Sequence, residues 1–331
     1  MTADRAGTTV NASPRSAPSL RGRDLLSVAD LGRDDVEAIF ARAVELRTEH
    51  RERGRHAELP LAGRSIALLF QHPSLRTRVT FEAGMTQLGG HAIYLAAGDV
   101  GLGARETVPD VALNLERFVD GIVVRHSAQE VLVELAERAS IPVVNALTLR
   151  EHPCQALADV FTLVERFGRL DGVVIAFVGD ANNVFLSLAL LATSFGAEVR
   201  LAHPPGYGPD ERTLARMREH AAAARGRIVL GNDPREMARG AAVLYTDAWT
   251  SMGQEAEAEA RRDAFRTFRI DRELLAIAGP ETVVMHCLPA HRGEEIESEV
   301  MDGPQSVIFE QSENRLHVQK ALLVELLPEA R

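Results

Sequence analysis

Short apolar runs alternate along this chain with stretches in which apolar positions recur every three or four residues. The run SIALLF at 65–70 reads as a strand. After the Pro73-Ser74 break, Val79, Phe81, Met85 and Leu88 recur at near-helical spacing until Gly89-Gly90, which predicts a helix capped by Ser74. HAIYLA (91–96), VDGIVVR (119–125) and IPVVNA (141–146) read as further strands, with helices near 107–117 and 128–139 between them. Ahead of these, 24–47 carries Leu25, Val28, Leu31, Val36, Ile39, Phe40, Val44 and Leu46, a helical start with a turn near Gly32, and a polar, Arg-rich segment follows at 48–56.

The same rhythm restarts after a helix predicted from Pro153 to Phe167. GVVIAFVGD, AEVRLAH, RIVLGND, AAVLYTD and ETVVMHCLP read as strands, with helices at 184–195 and 210–225, a short helix after RIVLGND, and an amphipathic final helix at 316–327. Alternating strands and helices imply parallel sheets covered by helices, so the chain reads as two α/β halves joined near 147–167.

Composition narrows the chemistry. A chain of 331 residues that is 46% hydrophobic has room for two cores. Its net charge of -10 argues against a general nucleic-acid binder, and it has no apolar run that would span a bilayer. A small anion must therefore meet a local arginine patch. Lys320 is the only lysine among 37 basic residues, which removes Schiff-base and P-loop lysine chemistry. Cys154 and Cys287 form no CxxC pair, so neither a disulfide framework nor a zinc site is suggested. Residues 1–21, rich in Ala, Ser, Thr and Pro, read as a disordered leader on a cytoplasmic protein.

In open parallel sheets ligands bind beyond the carboxyl ends of the strands, so polar residues that follow strands are the ones to collect. The first half offers Ser74, Arg76 and Thr77 after SIALLF, Arg125 ending VDGIVVR, and His152 with Gln155 after IPVVNA. At the predicted helix start, free N–H groups and the dipole favour an anion. Arg78 is instead placed to pair with Glu82, four residues on. The second half offers Asp180, Asn182 and Asn183, then Asp247 with Ser251, then His286-Cys287; Arg315 precedes the predicted last helix. Singly, each has an ordinary reading as a strand end, a cap or a buried small side chain. Together, cations and neutral donors face acceptors, which suits transfer from an acyl phosphate to an amine. GDANN lacks the glycines of a dinucleotide fingerprint, so an NAD site is not indicated.

HPSLRTR (72–78), HPCQ (152–155), GDANNV (179–184), TDAWTSMGQE (246–255), MHCLPAHRGEEI (285–296) and SENRLHVQKALL (312–323) resemble, in order, the motifs of the ornithine carbamoyltransferases. The resemblance covers about 22–327. It implies two doubly wound parallel-sheet α/β domains with the active site in the cleft between them. The carbamoyl-phosphate-binding domain would be 22–150 with the helix 316–327, and the ornithine-binding domain 151–315. It also implies a homotrimer with carbamoyl phosphate and L-ornithine as partners, and no metal or cofactor. Carried over by motif, Ser74, Leu75, Arg76, Thr77 and Arg125 would hold the phosphate, and Arg125, His152, Gln155 and Arg315 the carbamoyl carbonyl. Asn183, Asp247, Ser251 and Met252 would hold the α-groups of ornithine, with Cys287 and Leu288 lining the reacting centre.

The catalytic set would be Arg125, His152, Asp247 and Cys287, with Asp247 and Cys287 receiving or orienting the proton of the attacking amine. Two positions depart from the family pattern. Leu75 stands where relatives carry a hydroxyl, and Gly101 in DVGLGARE stands where they tend to carry Gln or His, with Arg105 as the candidate substitute. Weaker carbamoyl-phosphate binding is the expectation. PSLRTR also resembles the acylornithine enzymes, leaving N-acetylornithine or putrescine as alternative amines and a non-catalytic binding paralogue as the alternative class.

Overall fold

A computed structural model of the protein describes residues 19–250 and 253–328. The predicted leader therefore lies, up to residue 18, outside the described residues, as do Ser251 and Met252. Among the described residues the strands form two parallel sheets, of four and five strands. The first holds β1 (Ser65–Phe70), β2 (His91–Ala96), β3 (Gly121–Arg125) and β4 (Val143–Leu147) in the order β2-β1-β3-β4. The second holds β5 (Val174–Val178), β6 (Glu198–Ala202), β7 (Arg227–Gly231), β8 (Val243–Thr246) and β9 (Val283–His286) in the order β7-β6-β5-β8-β9.

β1, β3 and β4 are apolar along nearly their whole length because helices cover both faces of the sheet. Strand order reverses between β1 and β3 in one sheet and between β5 and β8 in the other. Crossovers there leave on opposite faces, opening a crevice at the carboxyl ends. The helix Pro153–Phe167 joins the halves and packs against both Asn183–Ser194 and the last helix. No helix among the described residues is long and apolar enough to cross a membrane.

Three expectations are corrected. The first long helix runs Arg33–Arg53, through much of the segment read as merely polar, and ends where Gly54 turns left-handed at φ 69°. Its polar end stays helical because the side chains face solvent or pair along the surface, as Arg53 does with Glu49. Of the apolar face read from Val79, Phe81, Met85 and Leu88, the last three are buried but Val79 is 50% exposed, and the Leu75–Gln87 helix buries Thr77 and Gly84 as well.

The last helix runs Ile308–Leu326, so Arg315 lies inside it rather than before it. It is also more enclosed than an amphipathic pattern implies. Gln311, Asn314, Arg315, Gln319 and Lys320 are buried along with its apolar residues as it packs between the helices Arg33–Arg53, Leu75–Gln87 and Pro153–Phe167. Buried polar groups must be satisfied, and these are. Asn314 Nδ2 donates to Thr162 Oγ1 at 3.0 Å, while Lys320 Nζ donates to Gln87 Oε1 and to His56 Nε2, both at 3.0 Å. Burial pushes the Lys320 ammonium down to about 8.

Candidate active site

The two crevices face each other across one cavity of about 440 Å³. Ser74, Arg76, Thr77, Arg125, His152, Gln155 and Arg315 line it from one side; Asn183, Asp247, Cys287 and Leu288 line it from the other. Of the site residues carried over by motif, Leu75 is the described one that does not line it; His286, also collected at a strand end, is buried against Glu295 instead. Leu75 is 75% exposed, so this position has only its backbone to offer a ligand.

Ser74 has extended backbone (φ -153°) and caps the helix that follows β1, its Oγ accepting from Thr77 N at 3.3 Å. The next helical residues, Arg76 and Thr77, fall in the first turn, where N–H groups have no intrahelical partner. Arg78 pairs with Glu82 at 2.9 Å and lies over the Tyr94 ring, which turns it away from the cavity. Arg125 ends β3 beside them, and Arg315 arrives from the last helix. Nη2 of Arg315 donates to Thr77 Oγ1 at 3.1 Å and its Nη1 to Gln155 Oε1 at 2.5 Å.

Three guanidinium groups thus share one low-dielectric pocket. Burial, then the charges of Arg315 and Arg76, pushes Arg125 down to about 10. Arg76 and Arg315 are lowered in the same direction, again by burial first. All three remain charged near neutral pH, and their crowding is relieved by an anion of more than one charge. His152 differs: burial and the same three arginines hold it well below the usual imidazole value, so it is a neutral donor. The backbone N–H of His152 donates to Ser187 Oγ at 2.8 Å, which fixes the turn into the Pro153–Phe167 helix.

The opposite wall is built from acceptors. Asp247 follows β8 and accepts through Oδ2 from Asn182 Nδ2 at 2.7 Å, and through Oδ1 from Ala248 N at 2.8 Å and Cys287 Sγ at 2.9 Å. Burial, then the Asp247 charge, drives the Cys287 thiol well above its ordinary value, so it is a protonated donor that aims the carboxylate. Asn182 also caps the next helix through Val184 N and Phe185 N.

Asn182, not Asn183, therefore reaches Asp247. Asn183 turns its Nδ2 to the Thr148 carbonyl at 2.5 Å, tying the two halves together at the cavity edge. Asp180, which the sequence also offered as an acceptor, is taken by Arg261. Arg261 further donates to the Trp249 carbonyl and so braces the ends of β5 and β8. It was missed because nothing near it in the chain marks it. A second bridge joins the halves where Arg76 Nη2 donates to the Leu288 carbonyl. Gly101 has φ 62° and ends the short Ala97–Val100 helix; a Cβ there would lie 2.8 Å from Arg105 Cβ, so the turn as built here favours glycine.

Two family models match the chain. Residues 23–165 match the carbamoyl-P binding domain of aspartate/ornithine carbamoyltransferase, and residues 171–326 its Asp/Orn binding domain. The chain is similar to an ornithine carbamoyltransferase of Symbiobacterium thermophilum, 47% identical over 92% of this chain and 98% of that one. It is similar to an anabolic ornithine carbamoyltransferase of Pyrococcus furiosus, 46% identical over 92% of this chain and 96% of that one. The solved ornithine carbamoyltransferase of Pyrococcus furiosus superposes with a TM-score of 0.91 at 44% identity, covering 95% of this chain and all of that one. That of Thermus thermophilus gives 0.81 at 48% identity, covering 92% and 99%.

Proposed function

The chain belongs to the aspartate/ornithine carbamoyltransferase family, and from that premise we propose that it transfers the carbamoyl group of carbamoyl phosphate to the δ-amine of L-ornithine. The products are L-citrulline and phosphate, a step of arginine biosynthesis. The observation that carries this reading is the polarity of one cavity. Arg76, Arg125 and Arg315 with neutral His152 stand on one wall, and Asp247, aimed by Asn182 and Cys287, stands on the other.

In this reading the phosphate dianion sits at the start of the Leu75–Gln87 helix, held by Ser74, Arg76, Thr77 and the backbone N–H of Leu75, with Arg125 alongside. The carbamoyl oxygen faces Arg125, His152, the Thr77 hydroxyl and Arg315, and the carbamoyl NH2 faces Gln155. Asn183 and Asp247, with Ser251 and Met252, receive the α-amino and carboxylate groups of ornithine; Cys287 and Leu288 flank the reacting carbon. The neutral δ-amine attacks, a C–N bond forms, and the C–O bond to phosphate breaks. Negative charge that develops on the carbamoyl oxygen meets donors already in place, each such donor being worth about 10²–10³ in rate. Because Cys287 keeps its proton, Asp247 is the member of that pair able to accept one. Guanidinium groups neutralise the leaving phosphate, so the reading asks for no metal or cofactor.

We place the enzyme in the cytoplasm as a homotrimer, with 22–150 and 316–327 as the carbamoyl-phosphate domain and 151–315 as the ornithine domain. Measuring ureido product with ornithine, N-acetylornithine and putrescine in turn tests the substrate. Ornithine should give the highest kcat/KM. A higher value for either rival overturns the choice of amine, and no product with any of them overturns the enzyme reading.

A further inference from the structure

The Gln155 amide has two chemically different ends, and both are engaged. Its Oε1 faces the guanidinium of Arg315, which only donates, at 2.5 Å. Its Nε2 donates at 2.8 Å to Oδ1 of Asp159, one helical turn further on. Asp159 has no solvent exposure. It also accepts from Gln311 Nε2 at 2.7 Å and Tyr245 Oη at 2.9 Å, so groups from three elements hold the carboxylate still. Gln311 in turn accepts from the backbone N of His286, next to Cys287.

A flipped Gln155 amide would set N–H against the Arg315 donors and oxygen against the Asp159 carboxylate. Each contact would be repulsive, so the flip is forbidden from both sides. The oxygen then stays at the cavity end of the amide, beside Arg315, and Asp159 itself stays out of reach of any ligand.

We propose that Asp159 is a specificity-determining positioning residue: by locking the Gln155 amide it keeps an acceptor turned toward the N–H end of the acyl group, selecting carbamoyl over acyl phosphates that carry a methyl there. This rests on the carbamoyl-transfer reading above. Gln155 Oε1 has a second lone pair beside the one that Arg315 takes, and an acyl phosphate without N–H leaves that lone pair without a donor in a buried site; sites built to hydrogen-bond a substrate group reject analogues that lack it. Without Asp159 only the Arg315 contact still opposes the flip, so the amide is held from one side and the penalty weakens.

The readout is a ratio, the Ki of acetyl phosphate as a competitor divided by the KM of carbamoyl phosphate, measured with ornithine as acceptor. Asp159→Asn keeps an oxygen toward Gln155 and Gln311 and turns its NH2 to Tyr245 Oη, so its ratio should stay within about threefold of the original. Asp159→Leu removes the acceptor and should lower the ratio about tenfold or more. An unchanged ratio in a folded Asp159→Leu protein, or an equal fall in Asp159→Asn, overturns the proposal.

Should Leu at 159 prevent folding, Gln155→Glu serves in its place. Alone it sets two carboxylates face to face and should lower the ratio; combined with Asp159→Asn it regains an acceptor between two donors and should recover to within about threefold. A double variant no better than Gln155→Glu overturns the proposal. The unaltered protein separates the two readings. If it makes no citrulline the carbamoyl-transfer reading fails, and if it does while the variants leave the ratio unmoved, only the role of Asp159 fails.

Discussion

Replacing Asp159 by Asn should stabilise the protein above pH 6 and leave its stability nearly unchanged at pH 4. Burial, only partly offset by hydrogen bonds from Gln155, Gln311 and Tyr245, pushes the Asp159 carboxyl up from 3.8 to about 6. The native state therefore holds this proton up to about pH 6, whereas the unfolded chain has released it near pH 4. Between those values the unfolded state binds fewer protons, so this group's contribution to stability falls as pH rises, and above pH 6 the full penalty stands. Roughly two pK units at about 1.4 kcal/mol each give about 3 kcal/mol. Asn mimics the neutral acid in size and keeps an oxygen toward Gln155 and Gln311, so it escapes the penalty without titrating. Thermal melts of both proteins at matched concentration from pH 4.5 to 8 measure the difference in Tm. That difference should grow with pH and level off near pH 7, at several degrees for a chain of this size. A difference independent of pH, or one that shrinks as pH rises, would show that the three donors hold the carboxylate more strongly than burial opposes it, and the reasoning would fail.

Two further outcomes follow from the site and the loop beside it. Cys287→Ala deletes a donor to the charged Asp247 and should lower kcat/KM for ornithine by roughly ten- to a hundredfold, from about 1.5–3 kcal/mol for such a bond; Cys287→Ser, which keeps a donor, should lose far less, and ornithine saturation curves that match for the two variants would refute the orienting role. Gly101→Ala forces a side chain into a left-handed turn against Arg105 Cβ and should cost about 1–2 kcal/mol, read as a lower Tm; an unshifted melt would mean that the turn relaxes freely.

Strand and helix order was legible because apolar runs and helical spacing are local properties of the sequence. The strand-end rule then located Ser74, Arg76, Thr77, Arg125, His152 and Asp247 without any contact being known. It failed where one buried polar residue is satisfied by another far away in the chain. The 308–315 turns of the last helix bury Gln311, Asn314 and Arg315 against Asp159, Thr162, Gln155 and Thr77 and leave Phe309 exposed, so apolar periodicity is absent from a segment that is fully helical. Asn182 and Asn183 are equivalent to any motif; only the fold sends one to Asp247 and the other to Thr148. Arg261 and Asp180 lie 81 residues apart, and neither has a pattern that names the other.

The burial of Lys320 gives the protein an internal clock. A reagent that acylates side-chain amines finds one target in the whole sequence, and the native fold encloses it beneath Gln87 and His56. Each chain that gains the mass of one label at Lys320 has opened its last helix at least once. The rate of labelling therefore counts departures of the Ile308–Leu326 helix, the element that also carries Arg315 to the cavity, without any engineered probe.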